Sequence, residues 1–324
     1  MSYNKYERGG QITLEEFLMK PKIDFAFKEM MENEDARKGF LAAVLKLDPA
    51  DIRETRIMNP YLRKVREDDK LGILDVRILL NNDTVIGTEI NLSRLKIWPS
   101  RSLFYTAKMY TDQINPGDSY DKLMKCVSIS ILDFKLFPEE PNFYSCFHLW
   151  EDTRHFLYTD QMEFHVLELP KLPLEWKEDG NNILLWAKFI NAERKEEFEM
   201  LANRDPYIAS AYQHLQIISQ DQEKREEYEA RERALRDHNQ MMRESREEGL
   251  AEGMAKGVEK GRAEGMAKGV EKGRAEGFET GRAETRREIV QRLLNIMPPG
   301  QVADALGMPL EDIRQMMQEA IPGD

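Results

Sequence analysis

The hydrophobic rhythm of this chain changes several times along its length, and each change predicts a different element. Residues 71–80 (LGILDVRILL) and 85–92 (VIGTEINL) are dense apolar runs of strand length, separated by the turn-forming series Asn81-Asn82-Asp83-Thr84. They read as the two arms of a β-hairpin. From Ser100 the period lengthens to that of a helix, which sets Arg101, Tyr105 and Lys108 at i, i+4 and i+7 on one face. Near the C-terminus, Ile289, Val290, Leu293, Leu294 and Met297 predict a short amphipathic helix over 286–297, stopped by Pro298-Pro299-Gly300. Beyond it, residues 302–313 read as helix, glycine turn, helix, a pattern shared by DNA readers and structural hairpins. Glu311 and Asp312 open its second helix, where a DNA reader would carry neutral or basic side chains, so a structural or partner-binding hairpin is favoured.

Between these regions the apolar periodicity gives way to charge. From 221 to 288, 34 of 68 residues are charged, 18 acidic and 16 basic, and proline is absent, as in a solvated helix rather than a core. A domain boundary is therefore expected near residue 220. Inside this tail, GMAKGVEKGRAE occupies 253–264 and again 265–276, and glycine recurs at every fourth position from Gly249 to Gly281. At 100° per residue the glycine stripe drifts about 40° with each step and winds around the helix. Each glycine also costs about 1 kcal/mol relative to alanine, so the nine in isolation favour coil. Two readings stay open: close helix contact in an associated assembly, or a flexible spacer that arose by duplication. The glycines follow no strand, which argues against a phosphate-cradling loop.

Composition narrows the function classes. The chain has 324 residues, 41% hydrophobic and 33% charged, and no apolar run approaches the roughly 20 residues needed to cross a bilayer. Residues 1–8 carry no apolar stretch after their charges, which reads against export and for a cytoplasmic protein. Cys126 and Cys146 have no third or fourth cysteine beside them, so neither a zinc knot nor a disulfide framework is expected, and both read as reduced, buried thiols. His148, His155 and His165 lack the tight spacing of a zinc site and read as surface or packed residues. The net charge of −12 draws no polyanion to the molecule as a whole. Any nucleic-acid contact must come from a local basic patch.

The hairpin carries the candidate chemistry. Opposed residues of an antiparallel pair have a constant index sum, and a turn centred on Asn82 sets it at 164, so that Asp75 faces Glu89. Their Cβ atoms would stand about 4.5–5.5 Å apart, close enough for both carboxylates to bind one hard cation. Asn91 falls on the face of Glu89, and Gly87 beside them would leave open space. The plain alternative is a charged face of an amphipathic hairpin that tolerates one acid pair. The required basic patch follows at once: Arg94, Lys96, Arg101 and Lys108 are interleaved with Trp98, Phe104 and Tyr105, and no acid occurs from Asn91 to Lys108. Arg101 and Lys108 on one helix face read as phosphate contacts. The alternative is a solvated face with Leu103, Phe104 and Ala107 in the core.

The order of several short motifs resembles the PD-(D/E)XK nuclease family transposases, or recombination-promoting nucleases. They are Lys22-Ile23-Asp24-Phe25-Ala26-Phe27-Lys28, Asn59-Pro60, Asp69-Lys70, Leu74-Asp75-Val76, Glu89-Ile90-Asn91, Arg101-Ser102-Leu103-Phe104-Tyr105, Gly117 with Tyr120, and Ile131-Leu132-Asp133-Phe134. Glu168-Leu169-Pro170-Lys171 with Trp186, the glycine tail and residues 305–313 fit as well. The resemblance implies an α/β, restriction-endonuclease-like mixed sheet flanked by helices over 20–215. An extension precedes it at 1–19, a charged helical tail follows over 216–288, and a helical hairpin closes the chain over 289–324. It implies a Mg²⁺-dependent DNA endonuclease in which Asp75 and Glu89 bind metal and the Ile90 carbonyl joins them. Asn91, where the family has Gln, would orient the attacking water. Asp24 would either complete the acidic cluster or cap the first helix. Arg94, Lys96, Arg101, Tyr105 and Lys108 would contact DNA, and the tail would join copies into a homo-oligomer. The alternative function is a catalytically inactive nuclease fold acting as an oligomeric scaffold or partner-binding module, which the net charge and the shorter Asn91 favour.

Overall fold

The hairpin lies within a six-stranded mixed sheet. A computed structural model of the chain describes residues 17–62, 73–93, 96–174 and 180–319, divided between two units, Met1–Gln240 and Met241–Asp324. In the first unit, helices α1 (Asp24–Met31) and α2 (Glu34–Leu45) lead into strands β1 (Thr55–Met58), β2 (Val76–Leu80) and β3 (Thr84–Asn91). Helix α3 (Trp98–Thr111) crosses over to β4 (Lys125–Leu132), and β5 (Tyr144–Trp150) and β6 (Leu157–Glu168) complete the sheet in the order β1-β2-β3-β4-β6-β5. Strands β3, β4 and β6 run parallel, while β1, β2 and β5 pair antiparallel with their neighbours.

The β2–β3 register runs from Val76↔Thr88 to Leu80↔Thr84, which is the index sum of 164. Asn81 and Asn82 make this turn possible, with φ of 50° and 61°, a left-handed region that asparagine tolerates better than most residues. Helices cover both faces of the sheet, so the strands read as continuous rather than alternating apolar runs. On one face Val76, Ile78, Ile86, Ile90, Val127 and Ile129 meet Phe27 and Phe40 of α1 and α2. Trp186 and Phe189 of α4 (Asn182–Asn191) join this core. On the other face Leu74, Leu79, Val85 and Cys126 pack on Tyr105 and Met109 of α3.

Helix α3 starts two residues earlier than Ser100, with Trp98 buried against Leu132, Phe134 and Val166. Leu103 and Phe104 are exposed. The core side of the helix is instead Trp98, Tyr105, Thr106 and Met109, which corrects the assignment of Leu103 and Phe104 to the interior.

Helices α5 (Lys195–Ala202) and α6 (Pro206–Gln220) precede α7 (Gln222–Leu294). The opening turns of α7 pack back on the first unit: Tyr228 is buried in the main core, Leu235 is partly buried there, and the Tyr228 hydroxyl accepts a hydrogen bond from Lys20 N–H. This unit thus takes in about twenty residues beyond the composition break near 220. In the second unit α7 continues as helix through the glycine repeats, followed by α8 (Pro299–Leu306) and α9 (Leu310–Glu319). Gly307 closes α8 at φ 60°. Val290, Leu293 and Leu294 join Val302, Ala303 and Ile313 in a small core. The helix expected over 286–297 is therefore the end of α7. No described helix is long and apolar enough to cross a membrane.

Candidate active site

The hairpin register brings the two acids together. Asp75, one residue before β2, stands opposite Glu89 of β3 by extension of the ladder. Its Oδ2 accepts a 2.7 Å hydrogen bond from Ile90 N–H. Glu89 is buried; its Oε2 lies 3.4 Å from Arg101 Nε, and its Oε1 has no hydrogen-bond partner. Burial pushes the Asp75 carboxyl up to about 6, against the Ile90 hydrogen bond and the positive Arg231 and Arg101, with negative Asp24 adding to the rise. Burial likewise lifts Glu89 to about 7, opposed by Arg101 and reinforced by Asp75. A buried carboxylate oxygen without a donor is costly, and one beside a second carboxylate is the donor set of a hard cation. Asp75 and Glu89 thus fit a metal of the Mg²⁺ class.

The other expected residues are arranged as follows. Asn91 ends β3, and its Oδ1 accepts from Ser93 N–H at 2.9 Å, forming a local turn. Gly87 does not leave open space: a Cβ there would stand 2.9 Å from Met109 Sδ and 3.0 Å from Leu74 Cδ1, because α3 packs directly on this strand. Arg101 of α3 lies over the Tyr105 ring at 5.0 Å and near the Trp98 ring at 5.7 Å, so two buried aromatics hold its guanidinium against Glu89. Tyr105 is itself core, a platform for Arg101 rather than an exposed contact. Lys108 is partly buried in the last turn of α3, and Lys96 is exposed just before the helix. Arg94, like the Asp69-Lys70 motif, lies outside the described residues.

Asp24 is the first residue of α1 rather than its cap, which is Ile23. It accepts from the adjacent Phe25 N–H and is paired with Arg231 of α7, whose Nε lies 2.8 and 2.7 Å from its two oxygens. Asp24, Asn91, Arg231, Ala234 and His238 border one cavity of about 340 Å³, and Asp24, Asp75 and Arg231 border another of about 550 Å³.

Arg231 escapes a reading that places it in a solvated tail. The available signal is the stripe Tyr228, Arg231, Leu235 at i, i+3, i+7 in otherwise charged sequence. Glu168 and Lys171 prove structural: a buried ion pair of 2.5 Å in which Glu168 also accepts from Leu136 and Phe137 N–H. Cys126 is a buried thiol, but Cys146 is exposed on edge strand β5, contrary to expectation. His148 and His165, far apart in spacing, are brought beside Cys146 and Glu163 by strand pairing.

No curated protein and no solved structure matches the chain. A family model described as PD-(D/E)XK nuclease family transposase matches residues 21–245, which include the hairpin, the acid pair, α3 and the opening of α7. With this match over more than half its length and a mixed sheet of the restriction-endonuclease-like kind, the chain belongs to the PD-(D/E)XK nuclease family transposases.

Proposed function

We propose that this protein hydrolyses DNA phosphodiester bonds with Mg²⁺ held by Asp75 and Glu89, as a recombination-promoting, transposase-related endonuclease of the cytoplasm. The observation that carries this reading is the buried, partnerless Oε1 of Glu89 beside Asp75. When bound, Mg²⁺ would supply Lewis-acid stabilisation of charge developing on the phosphoryl oxygens. Ile90 N–H orients Asp75. Arg101, seated on its aromatic platform beside Glu89, would hold a phosphate next to the acid pair. Asn91 positions the attacking water through its amide NH₂, since its oxygen is engaged by Ser93. Asp24, held by Arg231, adds negative charge behind Asp75. Arg94, Lys96 and Lys108 contact the DNA backbone, and the tail joins copies into a homo-oligomer.

Full-length protein incubated with supercoiled plasmid is expected to nick it with Mg²⁺ and not with a chelator, and Asp75→Asn and Glu89→Gln are expected to abolish nicking. Variants that cut like the parent would refute the site. A second reading, an inactive scaffold, is favoured by the shorter Asn91 and its engaged oxygen. It becomes the better one if the folded parent leaves plasmid intact at all Mg²⁺ concentrations.

A further inference from the structure

Strands β5 and β6 carry a second cluster of ligating side chains that shares no residue with the acid pair. Antiparallel pairing sets Cys146 across from His165, and the two-residue period puts His148 and Glu163 on the same face. Cys146 Sγ lies 3.5 Å from Glu163 Oε1 and 3.9 Å from His148 Nδ1, and His148 Nε2 lies 3.6 Å from the same carboxylate oxygen. One ligand atom from each of these three residues lies within 4.8 Å of the others. Ligands of a tetrahedral Zn²⁺ at bond lengths of about 2.0–2.3 Å stand roughly 3.3–3.8 Å apart. A single His148 nitrogen must serve as ligand, so closure around such an ion needs adjustments of about 1 Å from the present separations.

The surroundings select one oxygen. Lys125 Nζ sits 2.5 Å from Glu163 Oε2, which leaves Oε1 facing Cys146 and His148. His165, almost fully buried, places Nε2 2.9 Å from Oε1 without an aligned hydrogen bond, while its Nδ1 lies 2.9 Å from the Tyr144 hydroxyl. An imidazole braced by an oxygen on one nitrogen and aimed at a metal-binding carboxylate with the other is a common outer support of metal sites. We propose that Cys146, His148 and Glu163 bind a borderline-soft divalent cation of the Zn²⁺ class, with His165 positioning Glu163 and a fourth coordination position open to solvent.

The donor set decides the metal class: a thiolate and an imidazole suit Zn²⁺ or Co²⁺, whereas the all-oxygen pair of Asp75 and Glu89 suits Mg²⁺. Binding forms a sulfur–metal bond and releases the thiol proton to solvent. It also ties the outermost strand to β6 next to the point where their register shifts, between Phe147 and Leu149. A metal there would act as a clamp on an edge strand.

Chelator-stripped full-length protein, kept in excess Mg²⁺, is titrated with Co²⁺ and read by its thiolate-to-cobalt charge-transfer band. The band is expected to saturate at one equivalent, to vanish when Zn²⁺ is added, and to persist in Asp75→Asn and Cys126→Ala. It is expected to be lost in Cys146→Ser and weakened at least tenfold in His148→Ala. Zn²⁺ should raise the unfolding midpoint of the parent but not of Cys146→Ser, a readout that also shows whether the variant is folded. No band in the parent, or a band that survives Cys146→Ser, overturns the proposal whatever the outcome with plasmid.

Discussion

Replacing Glu89 by Gln removes a charge that burial makes unfavourable in the folded state. The carboxyl moves from an ordinary value of 4.5 to about 7 on folding, and at 1.36 kcal/mol per unit that is about 3 kcal/mol. The native state therefore holds the proton more tightly than the unfolded chain does. Stability contributed by the protonated acid is complete below about pH 4.5, falls as pH rises through the window to about 7, and is gone above it. Glutamine keeps the shape without the charge. The attraction of Arg101, 3.4 Å away and 38% exposed, is already included in that shift and adds no separate loss. In chelator, Glu89→Gln is thus expected to match the parent within about 1 kcal/mol at pH 5 and exceed it by about 3 kcal/mol at pH 8. Urea unfolding followed by tryptophan fluorescence reads this unit, which holds the described Trp98, Trp150 and Trp186. Saturating Mg²⁺ should stabilise the parent at pH 8 and leave the variant unchanged. Parallel stability profiles for parent and variant between pH 5 and 8 would refute the reasoning.

Other outcomes follow from single contacts. Arg231→Gln removes a positive charge that holds the Asp75 carboxyl down from a higher value, so the onset of Mg²⁺-dependent nicking should move to higher pH, read from a pH–rate profile. Asn91→Gln extends the amide by one methylene beyond the turn with Ser93, and single-turnover nicking should rise, because water positioning is sensitive to about 1 Å. A Cβ at Gly39 would stand 2.2 Å from Tyr207 Cβ, so Gly39→Ala must push α2 from α6 and lower stability by about 1–3 kcal/mol, visible as a reduced Tm.

What was legible in the sequence was local. Two asparagines able to take left-handed φ set the turn, the turn set the index sum, and the sum placed Asp75 against Glu89 before any tertiary information. The space at Gly87 was not legible, because Met109 fills it from a helix twenty-two positions downstream. Arg231 was hidden for a related reason: the first turns of α7 are as densely charged as the rest, yet Tyr228 and Leu235 there seat the helix on the core. The cluster on β5 and β6 depends on a register that shifts after Phe147, and no spacing in the chain announces which residues a shifted ladder will oppose.

The glycine tail allows the sharpest contrast between a lone helix and an associated one. None of the nine glycines from 249 to 281 has another heavy atom within 4 Å of where a Cβ would stand, apart from its own neighbours. Against alanine they weaken the helix by about 1 kcal/mol each. Pairs such as Lys256–Glu252 and Lys272–Glu276 at i, i+4 return only a few tenths each. Met254, Val258, Met266, Val270 and Phe278 each directly follow a glycine and are exposed, so an apolar stripe tracks the glycine stripe around the helix. A second copy laid along this path would bury the apolar side chains and use the missing Cβ atoms for close approach, as small residues do where helices cross. Replacing Gly253, Gly257, Gly265 and Gly269 by alanine separates the cases. In a lone helix the change adds about 4 kcal/mol of helix stability and leaves the sedimentation coefficient unchanged. In an assembly packed through the glycines, the four methyl groups intrude on the partner and the oligomer dissociates. Dissociation is the expected result, and a parent chain that sediments as a monomer at micromolar concentration would leave the tail as a spacer.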